Sequence, residues 1–325
     1  MHIMAFRKLA ITTVVLFSAL GIPLRAQSPI RGPMLGWVWD AQNESIRPVL
    51  GIAGSSLLGK SFELGFRVKH AAISHIREHA LALAGEARDL RFIDLKPEPP
   101  LATSIEGVPP GADRLTFSPR GLSAVVLYAE SRKILVLTGL SSNETGVREI
   151  DLSAEGAPEA AAITDDGSLL LAAWPESKTL LLIDAGGNRW KTAIEDVVTA
   201  VAFLEGTRDS LVASEGGVFL LRDGTAGPEM RRIWEGKATA ISWPHPARFL
   251  FVDAGTQSVV EMDLDGVGSR TVQCPCQPSA LQRMAAGSVF RLNEVSRDPL
   301  WLVEILESGM RTIFVPPDPG SEKED

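Results

Sequence analysis

Three segments of the sequence align without a gap, and this repeat constrains the fold more than any other feature. The segments are 73–93, 117–137 and 163–183, at offsets of about 44 and 46 residues. Ser74, Ser118 and Thr164 share one column just before a turn, where Gly121 and Gly167 favour a tight hairpin. A chain with such columns is built from repeated units of one structure.

Each unit is typical of four β-strands. Apolar runs at 80–84, 124–128 and 170–174 are followed by a charged turn and a second apolar run, and the last strand, such as 147–152, alternates. The middle strands are apolar on both faces, so each sheet must be covered on both sides. Among repeats of this length, that combination predicts the blades of an all-β propeller.

Further units extend the repeat in both directions. Residues 198–234, 238–273 and 279–315 show the same succession of strands and turns, the last with a looser match. Residues 31–68, with candidate strands at 37–39, 47–52 and 62–68, are long enough for one more. We therefore predict a single propeller domain over 27–315 with seven four-stranded blades. The alternative is a six-bladed ring with an N-terminal extension.

The turns at 118–121 and 164–167 resemble the Ser-Pro-Asp-Gly hairpins of bacterial WD40-like, lactonase-like and related secreted propellers. The similarity covers residues 70–315 and is architectural, since Trp39-Asp40 is a solitary Trp-Asp pair. The resemblance implies the fold alone, because propellers carry hydrolases, lyases, assembly factors and binding scaffolds alike.

The first 26 residues predict export. Arg7 and Lys8 precede an apolar run at 9–22, and Ala26 offers a small residue for cleavage. The run is shorter than the roughly 20 residues that span a bilayer, and we predict no membrane span. The sequence thus predicts a cleaved signal peptide over 1–26 and a periplasmic or secreted protein.

The mature chain is expected to be acidic. The formal net charge is −8, and residues 1–26 carry three basic residues and no acidic one, so the chain from Gln27 has a charge of −11. An acidic protein is a poor ligand for phosphate backbones, which argues against nucleic acid as a partner. The Pro-rich, charged segment 316–325 predicts a disordered tail, and we expect a monomer.

His75-Ile76-Arg77-Glu78-His79 spells the His-x-x-Glu-His sequence of a class of zinc peptidases. That chemistry needs a helix, so that both imidazoles face one metal ion. The repeat instead aligns residues 75–78 with hairpin turns, and we predict a turn. His70 and His245 are expected to cap strands, and no metal or other cofactor is expected.

Two other short motifs have ordinary structural interpretations. Cys274-Pro275-Cys276 predicts a local disulfide or two reduced thiols in an exported protein. Asp263-Leu264-Asp265-Gly266 begins like a calcium loop but lacks the later ligands, which favours a hairpin turn.

A glutamate and a basic residue recur two positions apart in the turns between the second and third strands. Such turns lie on the propeller face that usually carries the ligand site, although charged turns also keep strand ends solvated. The candidate binding residues are therefore Glu86, Arg88, Glu130, Arg132, Glu176 and Lys178.

Two functions are compatible with these patterns. The first is a non-enzymatic binding or scaffolding propeller for a protein or small-molecule ligand. The second is a lactonase-like hydrolase or a lyase with its site in the central channel, which needs polar residues converging from several inner strands. Because the predicted inner strands are apolar and small, as at 71–73, 115–117, 161–163, 200–203 and 240–243, we favour binding.

Overall fold

The computed structural model describes residues 32–140, 145–222, 229–245, 247–285 and 287–317, with only the backbone described for residue 245. All of them belong to one compact unit. The predicted signal peptide and residues 318–325 of the predicted tail lie outside these ranges.

The described residues form 27 strands in seven antiparallel sheets, and each sheet is made of strands consecutive in the chain. The seven-bladed all-β propeller is therefore confirmed, and the six-bladed alternative is wrong. Blade 1 contains β1 (Met34–Asp40), β2 (Ser45–Ile52) and β3 (Ser55–Leu58). Blade 2 contains β4 (Val68–Ser74), β5 (His79–Ala84), β6 (Asp89–Asp94) and β7 (Leu101–Ser104). Blade 3 contains β8 (Arg114–Phe117), β9 (Ser123–Tyr128), β10 (Lys133–Thr138) and β11 (Gly146–Asp151).

Blades 4 to 7 continue the series. Blade 4 contains β12 (Ala160–Ile163), β13 (Leu169–Trp174), β14 (Thr179–Asp184) and β15 (Arg189–Ala193). Blade 5 contains β16 (Val198–Phe203), β17 (Ser210–Ser214), β18 (Gly217–Arg222) and β19 (Glu229–Glu235). Blade 6 contains β20 (Ala238–His245), β21 (Arg248–Asp253), β22 (Ser258–Asp263) and β23 (Ser269–Gln273). Blade 7 contains β24 (Gln282–Arg283), β25 (Val289–Arg291), β26 (Leu300–Leu306) and β27 (Gly309–Val315).

Blade 1 lacks an inner strand within the described part of the chain. Glu44, in the turn between β1 and β2, has a φ of 46°. Arg132, in the turn between the second and third strands of blade 3, has a similar φ of 52°. The Val68 amide donates to the Glu44 carbonyl at 2.7 Å, just as the Leu152 amide donates to that of Arg132 at 2.9 Å. Strand β1 is also as buried as the second strands of the other blades, to which it is equivalent, and no other described strand pairs with its inner edge.

The predicted strand at 62–68 is wrong, because Val68 begins the inner strand of blade 2 and β3 lies earlier in the chain. Residues 61–67 form an irregular segment on the edge of the cluster between blades 1 and 2, where the half-buried Phe62 ring lies 5.0 Å from the Trp37 ring. Leu64 and Phe66 pack against the same cluster. Their alternation therefore reflects packing of an irregular segment rather than pairing in a sheet.

The hydrophobic core consists of seven clusters, each shared by two neighbouring blades. Leu171 and Leu182 of blade 4, for example, pack with Phe203 and Val212 of blade 5. This explains why the middle strands are apolar on both faces, since each face is buried against a different blade. Blades 7 and 1 are joined in the same way, which closes the ring. Across the described ranges, no helix is long and apolar enough to cross a membrane.

Candidate functional site

The charged turns predicted as a binding face lie on three different blades. In blade 2, the Gly85 amide donates to the Arg67 carbonyl at 2.9 Å, so this turn lies beside the link that enters β4. Glu86 is exposed and forms an ion pair with Lys69 at 2.5 Å, and Arg88 pairs with Asp113 at 2.5 Å. These contacts tie the turn to its own blade and to the neighbouring links.

In blades 3 and 4, Glu130 and Glu176 are exposed to solvent. Arg132 donates to the Ser153 carbonyl at 3.4 Å, and Lys178 donates to the Glu195 carbonyl at 2.7 Å. The structure brings none of the six predicted residues into polar contact with another among the described contacts. A role for them in binding stays a prediction.

The central channel is a better candidate site. It holds a cavity of about 430 Å³ lined by the inner strands of blades 2 to 7 and by the inner edge of β1. The apolar residues predicted for the inner strands do contribute to its wall, as Ala72, Leu115 and Ile163 show. Larger aromatic side chains also contribute: Trp39, Phe117, Phe203 and Trp243.

Charged residues from outside the predicted inner strands also line the channel. Arg291 and Glu294 of blade 7 line it and form a two-pronged ion pair, with Nη1 to Oε2 at 2.6 Å and Nη2 to Oε1 at 3.0 Å. Arg291 is buried at the end of β25, next to the edge of blade 1 with which no described strand pairs. Its side chain can therefore reach the channel from a second strand.

A second charged pair lines the channel between blades 5 and 7. Arg283, at the end of β24, lies 3.8 Å from Glu205, and its guanidinium donates to the Trp243 carbonyl. Arg120 approaches the other Glu205 oxygen at 3.6 Å. The wall thus carries two arginines and two glutamates, so its formal charges balance.

Two histidines also face the channel. His70 lies within β4, paired with Leu83, so the prediction that it caps a strand is wrong. Its ring is 5.0 Å from the Trp39 ring, and burial lowers its pKa. His75 is buried, and its burial together with the Arg291 charge lowers its pKa to about 3. Both imidazoles are neutral at physiological pH.

The His-x-x-Glu-His sequence at residues 75–79 is not helical. Residues 75–78 form the predicted turn, and His79 begins β5 with its ring 5.0 Å from that of Phe92 and 5.1 Å from that of Phe117. Within the described ranges, no cluster of three or more His, Cys, Asp or Glu side chains could hold a metal ion. His245 ends β20, and its side chain lies outside the described atoms.

The remaining motifs lie away from the channel. Cys274 and Cys276 are joined in a disulfide with their Cα atoms 5.0 Å apart, in the link that leads from β23 to β24. The segment that begins like a calcium loop is a hairpin turn, as predicted, in which the Gly266 amide donates to the Asp263 carbonyl at 2.9 Å. The Asp263 carboxylate accepts a hydrogen bond from Arg248 at 2.6 Å.

The sequence prediction missed four charged residues of the channel. They are Arg283, Arg291 and Glu294 in blade 7, and Glu205 in the turn between β16 and β17 of blade 5. The one available signal was the poor match of 279–315 to the repeat columns. A unit whose sequence departs from the repeat can carry side chains that the other blades lack.

The fold and the channel together define a seven-bladed β-propeller with polar groups at its centre. No family model matches the chain, and no curated protein matches it either. Solved structures do resemble it in fold. A protein of unknown function from Desulfotomaculum acetoxidans superposes with a TM-score of 0.59 at 14% identity, over 88% of this chain and 100% of that one.

Two other similar structures illustrate how widely this fold is used. Virginiamycin B lyase from Staphylococcus aureus has a TM-score of 0.53 at 11% identity, over 77% of this chain and 83% of the lyase. The WD40 repeats of RRP9 have a TM-score of 0.57 at 11% identity, over 79% of this chain and 82% of theirs. At such identities the likeness establishes the propeller fold alone.

Proposed function

We propose that this protein is an exported, non-enzymatic propeller that binds a small ligand in its central channel. The observation that supports this is a group of buried polar atoms without a protein partner in residues of the channel wall: Nε2 of His75, Nδ1 of His70 and Nε of Arg291. A buried polar group without a partner costs about 1–3 kcal/mol. A ligand that supplied the missing partners would remove that cost.

The size and character of the channel favour a small organic molecule. Its volume of about 430 Å³ falls within the roughly 300–1,000 Å³ usual for ligand pockets. Trp39 and Phe117 offer flat apolar surface, and the balanced charges of the wall give no reason to expect a highly charged ligand. The ligand we propose has an apolar body and a small number of polar groups.

The test is a fluorine NMR screen of purified protein against a library of fluorinated aromatic fragments that includes neutral, cationic and anionic members. Ala202 lines the channel and is half-buried, whereas Ala193 is exposed on the outer strand of blade 4. We expect wild type and Ala193→Trp to bind the same fragments and Ala202→Trp to lose them. If no fragment binds, or if Ala202→Trp binds as wild type does, the proposed site is wrong.

The second candidate is a lyase or hydrolase that uses the channel histidines. A neutral imidazole can accept a proton, and His70 and His75 both line the cavity. However, a pKa of about 3 makes His75 a weak base. An ester, lactone and elimination screen with and without a chelator decides the matter: turnover that is lost in His70→Gln would favour catalysis over simple binding.

A further inference from the structure

Resting on the proposed function, we infer that the ligand carries a carboxylate, and that this carboxylate binds the free edge of the Arg291 guanidinium. A guanidinium is planar and has two edges that match a carboxylate, one formed by the two Nη atoms and the other by Nε and one Nη. Glu294 occupies the first edge. The second edge carries Nε, which is buried and has no acceptor.

The burial of Arg291 makes this edge a built site rather than a surface charge. The residue is only 6% exposed, whereas the Glu294 side chain is 55% exposed. The arginine is thus held in the wall, while its glutamate partner is largely in water and its charge is screened. Glu294 can therefore tolerate, or give way to, a second carboxylate.

His75 supplies a further donor at the same place. It is 6% exposed and lines the same cavity as Arg291, and its Nε2 lacks a partner, whereas its Nδ1 lies against Gly36. A neutral imidazole carries one N–H that an anionic oxygen can accept. Two buried groups without a partner, Arg291 Nε and His75 Nε2, therefore belong to residues that line one cavity.

Among the described residues, the edge of blade 1 at the channel differs from that of the other blades. In blades 2 to 6 the inner strand separates the second strand from the channel, whereas in blade 1 the side chain of Trp39, on a second-type strand, lines the cavity. His70 packs on Trp39, and both residues line the same cavity as Glu294. The aromatic ring of Trp39 offers a surface for the apolar body of a carboxylate ligand.

The probes for the test are para-fluorobenzoate and the uncharged isostere para-fluorobenzamide, titrated by fluorine NMR. We expect wild type to bind the benzoate more tightly than the benzamide. Because a hydrogen bond to a charged group contributes about 1.5–3 kcal/mol, Arg291→Met should weaken benzoate binding roughly 10- to 100-fold. Benzamide binding should change by less than about threefold.

Three further variants separate recognition from structural effects. Arg291→Lys keeps the charge and loses the planar fork, so it should still weaken benzoate binding several-fold. Glu294→Gln leaves the guanidinium charge unneutralised and should therefore strengthen benzoate binding. Arg311→Met removes an exposed arginine that pairs with Glu304 at 2.7 Å in blade 7, and should bind both probes as wild type does.

The outcomes distinguish this inference from the proposed function. If fragments bind in the channel but no carboxylate does, or if benzoate affinity is unchanged in Arg291→Lys and Arg291→Met, the inference is wrong and the binding function stands. If no fragment of any charge binds, the proposed function itself fails. A folded Arg291→Lys variant is sufficient for the decision should Arg291→Met not fold.

Discussion

Gly36 of blade 1 lies directly against the His75 ring of blade 2. A Cβ atom built on Gly36 would stand 2.9 Å from Nδ1 of that ring and 3.0 Å from the Ala285 amide nitrogen of blade 7. The glycine has a φ of 142°, which side chains rarely adopt. Three blades therefore meet at one residue that has no room for a side chain.

Replacing Gly36 by alanine should destabilise the fold by about 2–4 kcal/mol, from an unfavourable φ together with a clash against backbone. Gly187→Ala is the matched control, since Gly187 has a φ of 83° and open space around its Cβ position. It should lose only about 1 kcal/mol. Urea unfolding of both variants measures the difference, and equal losses would show that the close contact has no energetic weight.

The buried histidines predict that stability falls in acid. Burial lowers the pKa of His75 to about 3 and that of His79 to about 4, from an ordinary value of 6.5. Below pH 6.5 both histidines therefore bind protons in the unfolded chain, whereas in the native state they remain neutral down to about pH 4. Each imidazole should reduce the free energy of unfolding by about 1.4 kcal/mol per pH unit in that window.

Unfolding in urea at several pH values between about 4.5 and 7 measures this slope. His79→Leu keeps the apolar contacts with Phe92 and Phe117 and removes one titrating group. We expect its slope to be smaller by about one proton. A slope identical to that of wild type would show that His79 does not titrate as its burial implies.

The Cys274–Cys276 disulfide should contribute little to stability. It closes a ring over a single intervening residue and so removes little chain entropy from the unfolded state. Replacing both cysteines by alanine should cost less than about 2 kcal/mol in thermal unfolding. Reduced wild type is the control, and a larger loss in both samples would reveal a structural role for the bond.

The basic residue of the repeated turn is predicted to carry a conformational cost. Arg132 has a φ of 52°, a region that favours Gly and Asn, and its exposed side chain makes one long hydrogen bond. Arg132→Asn should therefore be more stable than wild type by about 0.5 kcal/mol, whereas Ser131→Asn should not be. A less stable Arg132→Asn would mean that the arginine side chain contributes more than its contacts suggest.

Export predicts a new N-terminus. The protein isolated from the periplasm or the medium should begin at Gln27, because the basic, apolar and small residues of 1–26 have the order of a signal peptide. Mass spectrometry of the intact chain measures this. A mature chain that begins at Met1 would contradict both the cleavage and the location that we propose.

The blades could be predicted from the sequence because their determinants are local and repeated. Gly121 and Gly167 set the same hairpin turn in successive units, and both faces of each middle strand are apolar because each blade is covered on both sides. The register of His75 with those turns also sufficed to reject a helix. Each of these predictions uses agreement between columns rather than any single residue.

The channel could not be predicted in the same way. Arg291 lines it from the second strand of blade 7, the unit that matches the repeat columns least well, so no column of the repeat records its position. The alternation around Phe62 predicts a strand, but an alternating segment can pack against the core without pairing in a sheet. Both errors arise where blade 1 meets its neighbours and the repeat is broken.

No sheet among the described residues combines strands from the two ends of the chain. Blades 1 and 7 therefore meet through side chains such as Val38 and Val289, with no backbone ladder shared between the first and last blades. The other neighbouring blades also meet through side chains, but the chain links each of those pairs directly, whereas blades 7 and 1 are not consecutive in the chain. Under a pulling force, or in the rare openings that hydrogen exchange detects, the ring should part at this seam first. The cavity beside it would then be exposed while the other blades remained folded.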